Sequence, residues 1–176
     1  MQVTKIKVGP LECNCYILKK DDYAIIIDPG DDQDKIKNEI KDITVKAVLI
    51  THNHFDHVGA LDMFDKSLVK DCKSLTEGKY EIGNFKFEVI ETKGHTDDSI
   101  TYYFYDDDLM FTGDFLFKET IGRCDFPNSN NDDMINSLNK IKNYNNDIKI
   151  YPGHGEESIL GLEKRNFDYY INFLKY

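Results

Sequence analysis

The sequence lacks a long apolar run. Its longest, Tyr23–Ile27, falls far short of the roughly 20 residues that cross a bilayer. Met1 to Val8 alternates charged and β-branched residues with no apolar stretch. No signal peptide is therefore expected, and the cytoplasm is the expected compartment. Positive charge is also scarce. Lys and Arg total 22 against 32 Asp and Glu, a formal net charge of −10, and the only arginines are Arg123 and Arg165. Nucleic-acid binding usually needs a basic patch to release counterions, so neither a nucleic-acid nor a membrane partner is expected. The runs Asp31-Asp32 and Asp106–Asp108 read as solvated turns. Four cysteines, at 13, 15, 72 and 124, form no C-x-x-C pair, which argues against a disulfide framework. Cys13 and Cys15 fall on one face of a strand and read as reduced packing residues. No repeat, Pro-rich linker or low-complexity tract divides the chain, and residues 1–176 are expected to form one domain.

Apolar residues make up 40% of the chain, enough to demand a buried core. Strand-like runs cover Val3–Val8, Cys15–Lys20 and Tyr23–Asp28, the last two joined by an Asp21-Asp22 turn. Ile36, Ile40 and Ile43 have helical spacing within Asp32–Ile43. Val45–Ile50 is nearly continuous and apolar, as in a strand buried on both faces. A second strand-rich half follows, with Tyr80–Ile82, Phe85–Thr92, Ile100–Tyr105 and Leu109–Thr112. Met134, Leu138 and Ile141 mark a helix, Ile148–Tyr151 a strand, and Ser158–Leu174 a closing helix. Strands clustered in two halves, each followed by helices, predict two facing sheets with helices outside.

The five histidines carry the chemistry. Three lie in Thr51-His52-Asn53-His54-Phe55-Asp56-His57, directly after the buried Val45–Ile50 strand. His95 stands in Gly94-His95-Thr96 and His154 in Pro152-Gly153-His154-Gly155, each following a strand. Asp114, in Gly113-Asp114, follows a third. Imidazole and carboxylate ligands without thiolates suit an open site for zinc or a similar first-row metal rather than a closed structural zinc site. Seven residues could then hold two metals. One would take His52, His54 and His95, the other Asp56, His57 and His154, with Asp114 between them. Zinc is expected, with iron or manganese as alternatives.

These motifs, in this order, resemble the metallo-β-lactamase superfamily, and within it the short glyoxalase II-like hydrolases (hydroxyacylglutathione hydrolases). The likeness runs from Gly9-Pro10 and Asn14-Cys15-Tyr16 to Glu163-Lys164-Arg165-Asn166. It includes Gly122-Arg123-Cys124-Asp125-Phe126-Pro127. It implies an α/β (α+β) protein, an αββα sandwich of two mixed sheets, with a two-metal site at one edge. It also implies that Asp28, in Asp28-Pro29-Gly30, stands behind a metal ligand and orients it. Arg123 stands where related enzymes tend to place a basic residue near a substrate carboxylate; a structural ion pair with Asp125 is the other reading. Two departures bear on substrate. Asp97-Asp98-Ser99 replaces the Pro-Gly-Ser that often follows the Gly-His-Thr motif, and no C-terminal glutathione-binding helical domain is expected.

The function implied is metal-dependent hydrolysis of a small-molecule thioester, S-lactoylglutathione or a related hydroxyacyl thioester, by a hydroxide generated at the two-metal centre. Asp56 and Asp114 are the expected catalytic carboxylates. The alternatives on the same scaffold are a mononuclear-iron persulfide dioxygenase and a metal-dependent phosphodiesterase or lactonase. Oligomeric state is not legible in the sequence.

Overall fold

The structure, a computed structural model, describes residues 1–175. Two sheets face each other. The first holds β1 (Gln2–Val8), β2 (Cys13–Lys20), β3 (Tyr23–Ile27), β4 (Thr44–Leu49) and β5 (Val69–Lys70), in that spatial order. β1 to β3 pair antiparallel, and β3 to β5 pair parallel. The second sheet takes β6 (Gly78–Ile82), β7 (Phe85–Glu91), β8 (Ile100–Phe104) and β9 (Leu109–Gly113) as an antiparallel meander. A separate hairpin, β10 (Leu116–Phe117) and β11 (Thr120–Ile121), follows. β12 (Lys149–Pro152) then joins the second sheet parallel to β9, with β13 (Ser158–Ile159) at its edge.

Period-2 alternation sorts the side chains of the first sheet into two layers. Tyr16, Leu18, Ile25, Ile27, Ala47 and Leu49 point inward and meet Phe85, Phe87, Tyr102, Phe104 and Phe111 of the second sheet. Their neighbours Ile17, Ala24, Ile26 and Val48 point outward and pack on Ile36 of α1 (Gln33–Glu39). On the far side, Met134, Leu138 and Ile141 of α3 (Asn131–Ile141) cover Ile90, Met110 and Ile150. The start of α3 is specified locally: Asn130 Oδ1 accepts from the Asp133 N–H at 3.0 Å, and Asp132 and Asp133 lie in its first turn. The arrangement is the expected sandwich, with helical layers outside the two sheets. No helix among the described residues is long and apolar enough to cross a membrane.

Two helices depart from the expectation. The Asp32–Ile43 helix stops at Glu39, because Thr44 must bring its N–H to Asp22 O at 3.0 Å to begin β4 beside β3. Ile40 and Ile43 still pack on the layer from an irregular segment. The expected Ser158–Leu174 helix is broken into four pieces. Ser158 and Ile159 pair with β12 as β13, and α4 (Leu160–Glu163) follows. Lys164–Asn166 form a 3₁₀ turn, and only then does α5 (Phe167–Leu174) begin. Gly161, inside α4, docks this stretch against Asn146. Its N–H bonds Asn146 O at 2.8 Å, so close that a Cβ there would meet the Asn146 Cβ at 2.9 Å. Also unforeseen were the one-turn helix α2 (Phe55–Val58), β5, and the β10–β11 hairpin.

The inter-sheet core rests on its aromatic cluster. The Phe87 ring lies 5.3 Å from Phe104, 5.9 Å from Tyr102 and 6.0 Å from Tyr80. Phe87→Ala should cost about 3–5 kcal/mol, as for a fully buried phenylalanine. Urea denaturation measures this, and a loss below about 1 kcal/mol would contradict the packing described.

Candidate metal centre

Four loops deliver the site, each leaving the end of a strand. His52, His54, Asp56 and His57 follow β4, His95 follows β7, Asp114 follows β9 and His154 follows β12. The strands lie in two sheets, but these ends share one edge of the sandwich. Gly153 shows how tight the convergence is. A Cβ there would lie 2.2 Å from Asp114 Oδ1 and 2.7 Å from His57 Cε1, so only glycine lets β12 end against the site. Gly113, at φ +50, turns β9 into Asp114 and leaves room for the Thr51 hydroxyl.

All seven residues singled out in the sequence come together. In one group, His54 Nδ1 lies 3.1 Å from both His52 Nε2 and His95 Nε2. In the other, Asp56 Oδ2 lies 3.2 Å from His154 Nε2 and 3.7 Å from His57 Nε2. Asp114 stands between the groups. Its Oδ1 is 3.4 Å from His57 Nε2, and its Oδ2 is 3.6 Å from both His95 Nε2 and His154 Nε2.

The rings are fixed from behind. His57 Nδ1 donates to Asp28 Oδ2 at 2.9 Å, His95 Nδ1 to Arg123 O at 2.9 Å, and His154 Nδ1 to Leu11 O at 3.1 Å. Thr51 Oγ1 donates to Asp28 Oδ2 at 2.6 Å and accepts from His52 Nδ1 at 3.1 Å. Each partner sets the tautomer, so four Nε2 lone pairs face the centre. Asp28 therefore sits where the resemblance put it, behind a ligand, at the left-handed φ of 51. Cys13 was read as a packing residue, and it packs; its Sγ also lies 3.6 Å from His57 Nδ1. The cysteine spacing carried no sign of that contact. Among the described residues the four cysteines are free.

The donor set fits metal ions. His52 and His95 have Nδ1 committed elsewhere, so both Nε2 lone pairs face His54 Nδ1 at 3.1 Å, an arrangement that a cation between them satisfies. His57 Nε2 and Asp114 Oδ1 are buried without a hydrogen-bond partner, a costly state unless each binds something. Two groups, His52, His54, His95 with Asp114, and Asp56, His57, His154 with Cys13, each gather ligand atoms within 4.8 Å. Asp114 is equally within reach of the second group through Oδ1.

Protonation follows the same geometry. Burial holds His52 well below the ordinary imidazole range, and burial with the nearby His95 lowers His54. Burial also acts against a charged His57, but the carboxylates of Asp28 and Asp114 overcome it and raise the value well above the usual one. His154 is raised as well, its desolvation outweighed by the bond to Asp56. Asp56 is lowered despite burial by its bond to His154, and Asp114 by the neighbouring His57, whose Nε2 stands 3.4 Å from it. Without metal the Asp56, His57, His154 group thus keeps protons to higher pH than free imidazoles would.

The site opens into a cleft of about 460 Å³. Leu11, Phe55, Phe117, Ile121 and Phe126 form its walls, while His54, Asp56, His95, Asp114 and His154 form the floor. The Phe126 ring lies 5.3 Å from His54 and 5.5 Å from His95. Arg123 lines the rim and bonds Asp125 through both carboxylate oxygens, at 2.8 and 2.9 Å. Asn53 donates to Asp98 Oδ2 at 2.5 Å, so the loop after His95 is tied to the loop that carries His52 and His54.

A sandwich with these clustered ligands at one edge defines a metallo-hydrolase, and the metallo-beta-lactamase superfamily matches residues 8–70 and 75–154. This chain belongs to that superfamily and is a metal-dependent hydrolase. It is 34% identical to the probable metallo-hydrolase YqgX of Bacillus subtilis, over 90% of this chain and 92% of that one. It is 31% identical to the hydroxyacylglutathione hydrolase GloC of Haemophilus influenzae, over 94% and 96% respectively. Among solved structures, the BLEG-1 B3 metallo-beta-lactamase superposes with a TM-score of 0.87 at 28% identity, over 96% and 99%. TTHA1623 in a di-iron-bound form gives 0.82 at 28%, over 93% and 98%.

Two measurements test the site. Asp28→Ala frees the His57 ring and should weaken metal binding in the Asp56, His57, His154 group by about 10–100-fold, read by chelator competition. Unchanged affinity would contradict the orienting role. Zinc added at pH 7 should displace protons from His57 and His154, so its affinity should rise with pH. Calorimetry in buffers of different ionisation enthalpy reads the release, and its absence would contradict the raised values.

Proposed function

We propose that the protein is a thioesterase acting on S-lactoylglutathione or a related hydroxyacyl thioester. The observation that carries this reading is the pair of ligand groups on either side of Asp114, on the floor of an apolar-walled cleft. His52, His54 and His95 would hold one divalent metal, and Asp56, His57 and His154 the other, with Asp114 shared. Zinc suits nitrogen and oxygen donors of this kind, as do iron and manganese. A metal pair bound there supplies Lewis acidity toward an acyl carbonyl and lowers the pKa of water from about 15.7 to about 7.

The chain's own side chains do the rest. Asp56, kept ionised by His154, presents a carboxylate oxygen that orients an attacking water at the floor. Asp114 holds the two groups in register and fixes His57 and His95 relative to each other. Leu11, Phe55, Phe117 and Phe126 exclude bulk water from the acyl group, which strengthens each polar contact on the floor. A thiol leaving group has a pKa of about 8.5 and departs as thiolate without a strong general acid. That chemistry suits a site whose five histidines all have a place in the ligand groups, four of them fixed from behind through Nδ1. The substrate is a small molecule, and the acidic chain offers no argument for a nucleic acid.

The test is hydrolysis of S-D-lactoylglutathione and of S-lactoylpantetheine by protein loaded separately with zinc, iron and manganese. Turnover of at least one thioester is expected. In that assay Asp114→Asn should lower kcat by about 100-fold or more while KM moves little. Near-normal kcat in the variant would contradict the shared position of Asp114. Silence of both thioesters with two metals bound, or oxygen uptake with glutathione persulfide in its place, would contradict the thioesterase reading.

A further inference from the structure

The cleft does not end at the rim. Ile121, Gly122 and Arg123 form a ridge, and beyond it lies a groove of about 290 Å³ along α5. Tyr169, Tyr170 and Phe173 line that groove together with Cys124. Phe173 is 71% exposed and Tyr169 69%, an unusual outlay of aromatic surface beside a catalytic cleft. The ridge residues line both spaces, so the groove adjoins the cleft on the side of Ile121, Gly122 and Arg123.

Charge along this path is the second observation. Among the described residues that line the cleft and the groove, Arg123 is the sole lysine or arginine. Its guanidinium lies over the Phe126 ring, 4.8 Å from the centroid, and is bonded at both Nε and Nη2 by Asp125. An exposed pair of this kind is weak and can open. Opening it does not help an anion, because the Asp125 carboxylate stays within reach of whatever the guanidinium contacts. Lys118, next to Phe117 of the cleft wall, is itself paired with Glu156 at 2.5 Å. The chain as a whole carries −10.

We propose that the groove along α5 receives the thiol-carrier arm of the substrate, that this arm is uncharged and elongated, and that Asp125 sets the preference by neutralising Arg123. The inference rests on the thioesterase reading and deepens it. Glutathione carries two carboxylates and meets no unpaired lysine or arginine among the residues that line the cleft and the groove. An uncharged arm such as pantetheine loses nothing to Asp125 and covers the Tyr169 and Phe173 rings as it lies in the groove.

Binding of non-hydrolysable thioethers tests this apart from turnover. Metal-loaded protein is titrated calorimetrically with S-hexylpantetheine and with S-hexylglutathione. The pantetheine thioether should bind more tightly, and Phe173→Ser should weaken it by about fivefold, for the loss of part of an aromatic contact. Asp125→Asn should strengthen binding of S-hexylglutathione by about threefold, through one unmasked surface charge, with the gain lost in high salt. Tighter binding of S-hexylglutathione by the unaltered protein would overturn the proposal, as would an Asp125→Asn variant that binds both thioethers as before. Those results leave the thioesterase reading in place if lactoyl thioesters are still hydrolysed. Turnover of neither lactoyl thioester overturns that reading and the arm assignment with it.

Discussion

Five imidazoles and two carboxylates meet in one small volume, and the rest of the structure is arranged around the strain of that meeting. Buried polar atoms without partners destabilise a fold, and His57 Nε2 and Asp114 Oδ1 are two such atoms. The fold tolerates them because everything behind them is satisfied. Asp28 bonds His57 and both the backbone and hydroxyl of Thr51. Backbone carbonyls of Arg123 and Leu11 take the Nδ1 protons of His95 and His154. The open valences all face the same point, which is what a metal-binding centre requires.

The sandwich supplies the rigidity for this arrangement. Strand ends from both sheets bring ligands to one edge, so the site spans the inter-sheet seam rather than one loop. The seam is closed by direct contacts between the halves. Tyr16 of β2 donates to Pro152 O at 2.6 Å, and Asn14 Nδ2 donates to the same carbonyl at 3.0 Å. These bonds fix β12, and thus His154, against the sheet whose β4 leads into His52, His54 and His57. The apolar cleft walls come from the loops between these strands, so the same framework that aims the ligands also shields them.

The ligands were legible in the sequence because their chemistry is local. His-x-His-x-Asp-His after an apolar strand, and His or Asp beside glycine after three others, need no tertiary knowledge to be noticed. The two-sheet architecture was also legible, since period-2 alternation and paired turns mark it directly. The breaks in the closing segment were not. Ser158 and Ile159 look helical by spacing and become a strand only because β12 offers an open edge. Cys13 likewise gave no sign of its place behind His57, since that contact joins residues 44 positions apart. The cleft walls were the least legible part. Leu11, Phe55, Phe117 and Phe126 come from four separate segments, and nothing in their spacing announces a common surface. Arg123 and Asp125 were seen as a possible pair; the groove beyond them depends on how α5 docks.

The central claim is that seven side chains hold two metals, one in each group, with Asp114 shared. Zinc bound per chain, measured by elemental analysis after dialysis, tests it most directly in the unaltered protein, His54→Ala and His154→Ala. The account predicts two equivalents in the unaltered protein and about one in each variant, with the remaining ion in the group whose histidines are intact. A single equivalent in the unaltered protein, or two in both variants, would contradict it.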